Sequence, residues 1–281
     1  MKRKFFLVFM LLFLVVGCSS KNNNDKQENN KPDENAVVVF KDANLEKIVR
    51  KAINKESGDI LGSDMLSVYT LNLSQKEENG EVKDLTGLEY ATNLYDISIR
   101  YNNVKSLDPI SNLEKLTYIG VSYSTIDDDI KLGNLKDLKT VSFIEVPLKN
   151  ISFVDNLTSI TSLTFTRCEI KDISAIKSLN NLEHLNLEDN SISDISAVKD
   201  KKKLIDIDLQ NNKISNISAL SSDIKLETII LSYNNVSDLS AIMNLENLSE
   251  LRIYENLDAK IASRSQINEL VTKGVEVYYH E

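Results

Sequence analysis

LNLEDNSISDIS (Leu185–Ser196), IDLQNNKISNIS (Ile207–Ser218) and IILSYNNVSDLS (Ile229–Ser240) are one phrase written three times, 22 residues apart. The aliphatic positions hold while the residues between them drift. With Leu94 as the first position of a unit, steps of 22 reach Leu116, Leu138, Ile160, Leu182, Leu204, Leu226 and Leu248 without a break. Positions four and six are also apolar, as in Leu185 and Leu187, Ile207 and Leu209, Ile229 and Leu231. Alternation with polar neighbours is strand periodicity. Position nine is Asn at Asn102, Asn190, Asn212, Asn234 and Asn256, and positions eleven, fourteen and seventeen return to aliphatics, as in Ile192, Ile195 and Val198.

A unit this short cannot bury its own apolar face. Stacked on its neighbours, it adds one rung to a continuous core. The Asn side chains then satisfy backbone groups where the chain leaves each strand, and the D-I-S-A stretches (Asp172–Ala175, Asp194–Ala197) suit a tight 3₁₀ turn on the outer side.

The pattern LxxLxLxxNxIxDIxxL resembles the leucine-rich repeat, and its 22-residue form resembles that of the internalins of Gram-positive bacteria. The resemblance runs from about Val37 to Asn256. It implies an α/β repeat solenoid: an arc with parallel strands on the concave face, 3₁₀ turns on the convex face, and a cap at each end. Residues 37–66 make the N-terminal helical cap, 67–256 the repeats and 257–281 the C-terminal cap. In the first cap Asp42 serves as N-cap, and Leu45, Ile48, Val49, Ala52 and Ile53 form one stripe. In the second, Ser263 and Gln266 form a capping box, Ile267, Leu270 and Val271 face inward, Gly274 ends the helix, and Val275, Val277 and Tyr279 alternate as a last strand. The family often continues into an immunoglobulin-like domain and a wall-sorting signal; neither is read in these 281 residues, and lipid is expected to replace the wall anchor.

Some rungs depart from the pattern. Position nine holds Ser124, Val146 and Cys168 in the middle units. Cys168 is expected to be structural, and Val146 followed by Pro147 to cause a local irregularity. Asp127–Ile130 puts acids where an aliphatic belongs, which suggests a bulged turn. Leu71-Asn72-Leu73 reads as a degenerate first rung, with the polar insertion Gln75–Glu81 after it.

Upstream, MKRKFFLVFMLLFLVVGC opens with a basic trio and an apolar run, Phe5–Val16, too short for a stable span. Residues 1–17 read as an export signal. Val15-Val16-Gly17-Cys18 resembles a lipoprotein cleavage site, which implies lipidation of Cys18 and anchoring to the extracellular face of the bacterial cell membrane. Residues 18–36 are the lipidated Cys and a polar tether, reaching roughly 25 Å when flexible and roughly 60 Å when stretched. With Cys18 lipidated, Cys168 has no disulfide partner, because the chain has only two cysteines. The formal charge is −9, and removing the segment that carries Lys2, Arg3 and Lys4 takes it to −12. Nucleic acid, which demands clustered positive charge, is excluded as a partner.

Positions three, five, seven and eight of each rung point to the concave side. Ligand-binding candidates there are Arg100, Tyr101, Tyr118, Tyr123, Ile144, Arg167, Glu188, Asp189, Asp206, Asp208, Tyr233 and Tyr254; Ser98, Gly120, Ser142 and Ser232 share the face. Tyr and Arg are favoured interface anchors, and small residues at position five leave room between rings. Glu188, Asp189, Asp206 and Asp208 make an acidic patch suited to a basic partner surface. Calcium is a poorer use of these acids, since hard cations take about six to eight oxygens from a closely folded loop. Ser162, His184 and Asp206 occupy position three on consecutive rungs, in the order of a hydrolytic triad. The same slot holds Thr140 and Thr228, no glycine-rich turn offers an oxyanion hole, and an open strand face excludes little water.

The expectation is therefore a non-catalytic scaffold, with no cofactor and no metal, that holds a protein or peptide ligand, or a glycan, on the concave face. Host adhesion is the first role implied by the resemblance. Docking of a bacterial surface or cell-wall component is the alternative, and a hydrolase is the remote one.

Overall fold

The computed structural model describes residues 32–74, 80–126, 130–133, 135–148, 150–256 and 262–279, the first two of the last segment by backbone alone. Cys18, the export segment, the tether up to Lys31, most of the Gln75–Glu81 insertion, Asp127–Asp129, the Ser263 side chain and His280 lie outside the described residues. Pro32–Glu281 forms one compact unit. Its apolar core runs unbroken from Val38 to Val275.

Parallel strands form one sheet in chain order: β1 (Thr70–Ser74), β2 (Asp96–Arg100), β3 (Tyr118–Ser122), β4 (Thr140–Ile144), β5 (Ser162–Thr166), β6 (His184–Asn186), β7 (Asp206–Asp208), β8 (Thr228–Ile230), β9 (Glu250–Arg252) and β10 (Glu276–Tyr278). The register pairs position four with position four, so Ile97, Ile119, Val141, Leu163, Leu185, Ile207, Ile229 and Leu251 form one buried row. The first-position residues from Leu94 to Leu226 are buried completely. The solenoid is therefore the direct consequence of the repeat: equal spacing puts equal side chains in register, and each row buries the one before it.

The outer side is built from 3₁₀ helices, among them Ser174–Ser178, Ser196–Val198, Ser218–Ser222 and Ser240–Ile242. Each follows an Asp or Asn whose carboxylate or amide oxygen accepts the amide of the first helical Ser: Asp172 from Ser174 (2.8 Å), Asp194 from Ser196 (2.7 Å), Asn216 from Ser218 (2.8 Å) and Asp238 from Ser240 (2.9 Å). The acid in D-I-S-A is thus a turn cap, satisfying a donor that the short helix leaves unpaired.

Where the strands end, the Asn side chains bond the rungs together. The Asn212 amide nitrogen donates to the carbonyls of Leu187 (2.9 Å), Leu209 (3.1 Å) and Gln210 (3.2 Å), and its oxygen accepts the Ile192 amide (2.9 Å). Asn190, Asn234 and Asn256 repeat this pattern. Val146 leaves the ladder, yet the expected irregularity does not reach the strands. Residues of β4 keep register with both neighbours, and Val146 is fully buried. Phe143, Phe165 and Phe153 fill this region with ring centroids 5.5 to 6.1 Å apart, replacing hydrogen bonds with aromatic packing. Cys168 has one weak S–H donor, shared between Phe143 O (3.3 Å) and Thr166 O (3.4 Å). Its thiol is pushed up to about 12 by burial, which makes it a structural rather than a reactive group.

The N-terminal cap comprises α1 (Ala43–Ala52) and the single turn α2 (Gly62–Met65). Asp42 caps α1 by accepting from Asn44 N (2.9 Å) and Leu45 N (3.1 Å), and its second oxygen takes Lys83 N (2.7 Å), tying the cap to the first rungs. Leu45 and Val49 are buried, and Ile48 and Ile53 pack half-buried against the core; Ala52, expected in the same stripe, is exposed. The chain joins the cap before Val37: Glu34 O and Ala36 O accept from Ser63 and Gly62.

At the other end, α3 (Ala262–Thr272) buries Ile267 and Leu270, whereas Val271 is half exposed, since adjacent residues on a helix point about 100° apart. Gly274 (φ 92°) ends the helix and sends the chain into β10. Gln266 reaches back to the last outer turn, donating to Asp238 Oδ1 (2.8 Å) and accepting Leu239 N (3.0 Å). The Ser240 hydroxyl (2.5 Å), then the Gln266 amide and the Ser240 amide, hold the Asp238 carboxyl down to about 2. Among the described residues no helix is long and apolar enough to cross a membrane.

Candidate functional site

The concave face divides into three patches with different chemistry. The first lies on β2 and β3. Tyr101 and Tyr123 occupy position eight of successive rungs and stack with centroids 5.0 Å apart. Arg100 lies over both rings, its guanidinium carbon 4.9 Å and 5.3 Å from their centroids, and donates to the Tyr101 hydroxyl (3.2 Å). All three are exposed. Tyr118 lies along its own strand over Gly120: a Cβ built at Gly120 would come within 2.4 Å of the Tyr118 hydroxyl. The small residue at position five is thus the bed of a ring rather than an open gap, and Gly120 is buried by it.

Position eight also explains the second patch. Tyr101, Tyr123, Glu145, Arg167, Asp189, Asn211, Tyr233 and Glu255 all have φ between 50° and 60°. In this left-handed conformation, costly for L-residues, several of their amides donate to the next rung, as Tyr123 N does to Ile144 O (2.8 Å) and Arg167 N to Glu188 O (3.1 Å). Side chains at this position consequently form a rail along one margin of the sheet. Arg167 bonds Glu145 (2.9 Å) on one side and Asp189 (2.8 Å) on the other, and Asn211 continues to Asp189 (2.5 Å). Strand alternation alone does not reveal this rail, because the left-handed residue breaks the alternation. Asn211 is a member that the sequence reading passed over; Glu145 was placed on this face but not among the ligand-binding candidates. Arg167 and Asp189 are committed to each other rather than presented singly.

The third patch is the acidic one, on β6 and β7. His184 Nδ1 contacts the Asp206 carboxylate. Glu188 accepts from the Gln210 amide (3.0 Å), and Asp208 turns back onto Gln210 N (2.9 Å). Burial, then the nearby acids, raises the Glu188 carboxyl above its ordinary range; burial also raises that of Asp208. Among the described residues no group of three or more His, Cys, Asp or Glu is arranged to hold a metal ion. His184 and Asp206 meet, but among the described residues no hydrogen bond joins Ser162 to His184, so the row of three is not an assembled triad.

Ile144 and Tyr254 are half buried, and Tyr233 is half exposed on a rung distant from the first patch. Ser232 corrects the expectation that all of position seven faces solvent: it is buried, its hydroxyl accepting Tyr254 N (3.2 Å). Tyr69 and Tyr95, at the opposite margin of β1 and β2, are exposed and add to the aromatic character of this end.

With this geometry in view, residues 180–222 match the family described as Leucine Rich repeats (2 copies). An internalin (inlF) of Listeria monocytogenes is similar in structure (23% identity, TM-score 0.53), the match covering 86% of this chain and 83% of that one. An internalin C2 of the same organism is similar over 89% of this chain and 100% of that one (24% identity, TM-score 0.62). A leucine-rich-repeat protein of Leptospira interrogans gives a TM-score of 0.67 at 20% identity, over 78% of this chain and 62% of that one. No curated protein matches the chain. These likenesses show the fold: a leucine-rich-repeat solenoid arc of the internalin-like kind.

Proposed function

We propose that the protein is a non-catalytic scaffold, anchored through lipid on Cys18 to the outer face of the cell membrane, that holds a protein ligand on its concave face, with host-cell adhesion as its role. The observation that carries this reading is the open Arg100/Tyr101/Tyr123 stack, with the Tyr118 ring lying over Gly120 on β3. Large amphipathic rings held rigidly on a sheet lose little entropy on contact, which is why Tyr and Arg dominate binding hot spots. Among the described residues nothing closes over the face to exclude water, which suits binding rather than hydrolysis. The repeat fold supports the same reading, since solenoids present extended concave surfaces.

The test uses immobilised residues 32–281, wild type or Tyr118→Ala/Tyr123→Ala, with host-cell and bacterial-envelope lysates. Wild type retains a partner that the double variant loses, while both melt at the same temperature. Capture that survives the double substitution moves the interface off this face. For the anchor, Cys18→Ser releases the protein into the medium; a variant still sedimenting with membranes overturns that part.

A further inference from the structure

Three arginines stand on the concave face, and two are already neutralised. Arg167 is held by Glu145 and Asp189, and Arg252 by Glu250 (2.5 Å). Arg100 meets no carboxylate among the described residues; its partners are two tyrosine rings and one hydroxyl. On a chain of charge −9, an exposed arginine held rigid yet left without an anion is unusual. We propose that Arg100, Tyr101 and Tyr123 form a subsite for a carboxylate on an acidic protein segment, an inference that rests on the concave-face reading above.

The argument is one of chemistry and charge. The two rings and the Tyr101 hydroxyl hold the guanidinium in place; Nη2 spends one N–H on that hydroxyl, and the remaining N–H groups are donors that suit a carboxylate. The concave positions of β1 to β4 hold no other Lys or Arg. A single positive charge suits a singly charged carboxylate better than a phosphate, which calls for two or more cations. The flanking rings offer an apolar surface to the residue beside that carboxylate. Four to five strands further along, at roughly 4.8 Å per strand, lies the patch of Glu188, Asp206 and Asp208. It repels an acidic segment and so confines it to the β2–β3 end, which sets the direction in which the ligand lies.

The test is an NMR titration of residues 32–281 with three synthetic peptides that share the frame Gly-Pro-X-Phe-Gly, with blocked ends and X as Asp, Asn or phosphoserine. The Asp peptide shifts the amides of Arg100, Tyr101 and Tyr123 and binds about tenfold more tightly than the Asn peptide, the discrimination expected of a charge-assisted bond. Arg100→Gln abolishes that difference, and Arg100→Lys, which keeps the charge and loses the fork, retains part of it. Equal binding of the Asp and Asn peptides, no shift at millimolar peptide, or discrimination that survives Arg100→Gln overturns the inference. Tighter binding of the phosphoserine peptide overturns the carboxylate assignment. Shifts on the concave strands that ignore Arg100 sink the subsite and leave the scaffold reading standing; shifts confined to the convex 3₁₀ turns remove the scaffold reading itself.

Discussion

Lys201 and Asp223 occupy the twentieth position of successive rungs, a slot filled by Leu113, Leu135, Leu157, Leu179 and Leu245 elsewhere, and both are buried. Lys201 Nζ donates to Lys177 O (2.8 Å). Asp223 Oδ1 accepts a long bond from the Ser222 hydroxyl (3.3 Å), and its Oδ2 has no hydrogen-bond partner among the described residues. Burial raises the Asp223 carboxyl to about 7, against the pull of Ser222 and of the Lys201 amide and ammonium, with Asp200 adding to the rise. The same desolvation lowers Lys201, against the pull of Asp223 and Asp200. Because the folded pKa of Asp223 lies above its unfolded value, the folded state binds the extra proton between about pH 4 and 7. Stability contributed by that proton is present at low pH and lost as pH rises through 7. Urea denaturation of the repeat unit should therefore give greater stability at pH 5 than at pH 8, by a few kcal/mol at about 1.4 kcal/mol per pKa unit. A flat or opposite profile would show that Asp223 finds a partner.

Replacing both charges separates the pair from its setting. Lys201→Met/Asp223→Leu restores the apolar column and should stabilise the protein at pH 8 by about 1–4 kcal/mol. Lys201→Met alone strands Asp223 and should destabilise it at pH 8, less so at pH 5. Thermal melting of the three proteins at both pH values is the measurement. A double variant less stable than wild type would mean that the pair contributes net stability.

The Asn ladder predicts a graded series. Asn212→Ala removes four hydrogen bonds and leaves buried carbonyls and the Ile192 amide unpaired, which costs about 3 kcal/mol in urea denaturation. Cys168→Ala removes one weak S–H donor shared between two carbonyls and a small volume, about 1 kcal/mol. The Cys168 thiol should also resist an aromatic disulfide reagent at pH 8 until the protein unfolds; rapid labelling in the native state would contradict its burial.

Legibility followed periodicity. Rows of Leu, Ile and Val at fixed spacing declared the strands, their register and the outer turns, because stacking needs only the right apolar residue at the right interval. The caps were legible at Asp42 and Gly274, where one residue's chemistry sets a helix end. What escaped were features made by pairs of rungs. Glu145–Arg167–Asp189 depends on a left-handed residue that strand alternation does not foresee. The burial of Ser232 depends on the Tyr254 amide one rung away. Lys201 and Asp223 look like ordinary surface charges until the column that holds them is seen. Val146 was expected to disturb its rung, but the Phe143, Phe153 and Phe165 cluster absorbs the missing bonds.

Gly120 offers the most direct link between a backbone position and binding. A side chain there would meet the Tyr118 hydroxyl and two ring carbons at 2.4 to 2.9 Å, closer than any real contact permits. The obstructing atoms are the far end of a side chain, so Gly120→Ala is relieved by swinging the ring away rather than by moving β3. Gly120 lies in a paired strand without a positive φ, and Ala loses less chain entropy than Gly on folding. Stability should therefore stay within about 0.5 kcal/mol of wild type or rise slightly. Ligand capture should fall, because the Tyr118 ring no longer lies along β3 over position 120. The two readouts are melting temperature and retention of the partner on immobilised protein. A variant that melts early would show the ring to be locked in place, and one that binds as wild type would show Tyr118 to stand outside the contact.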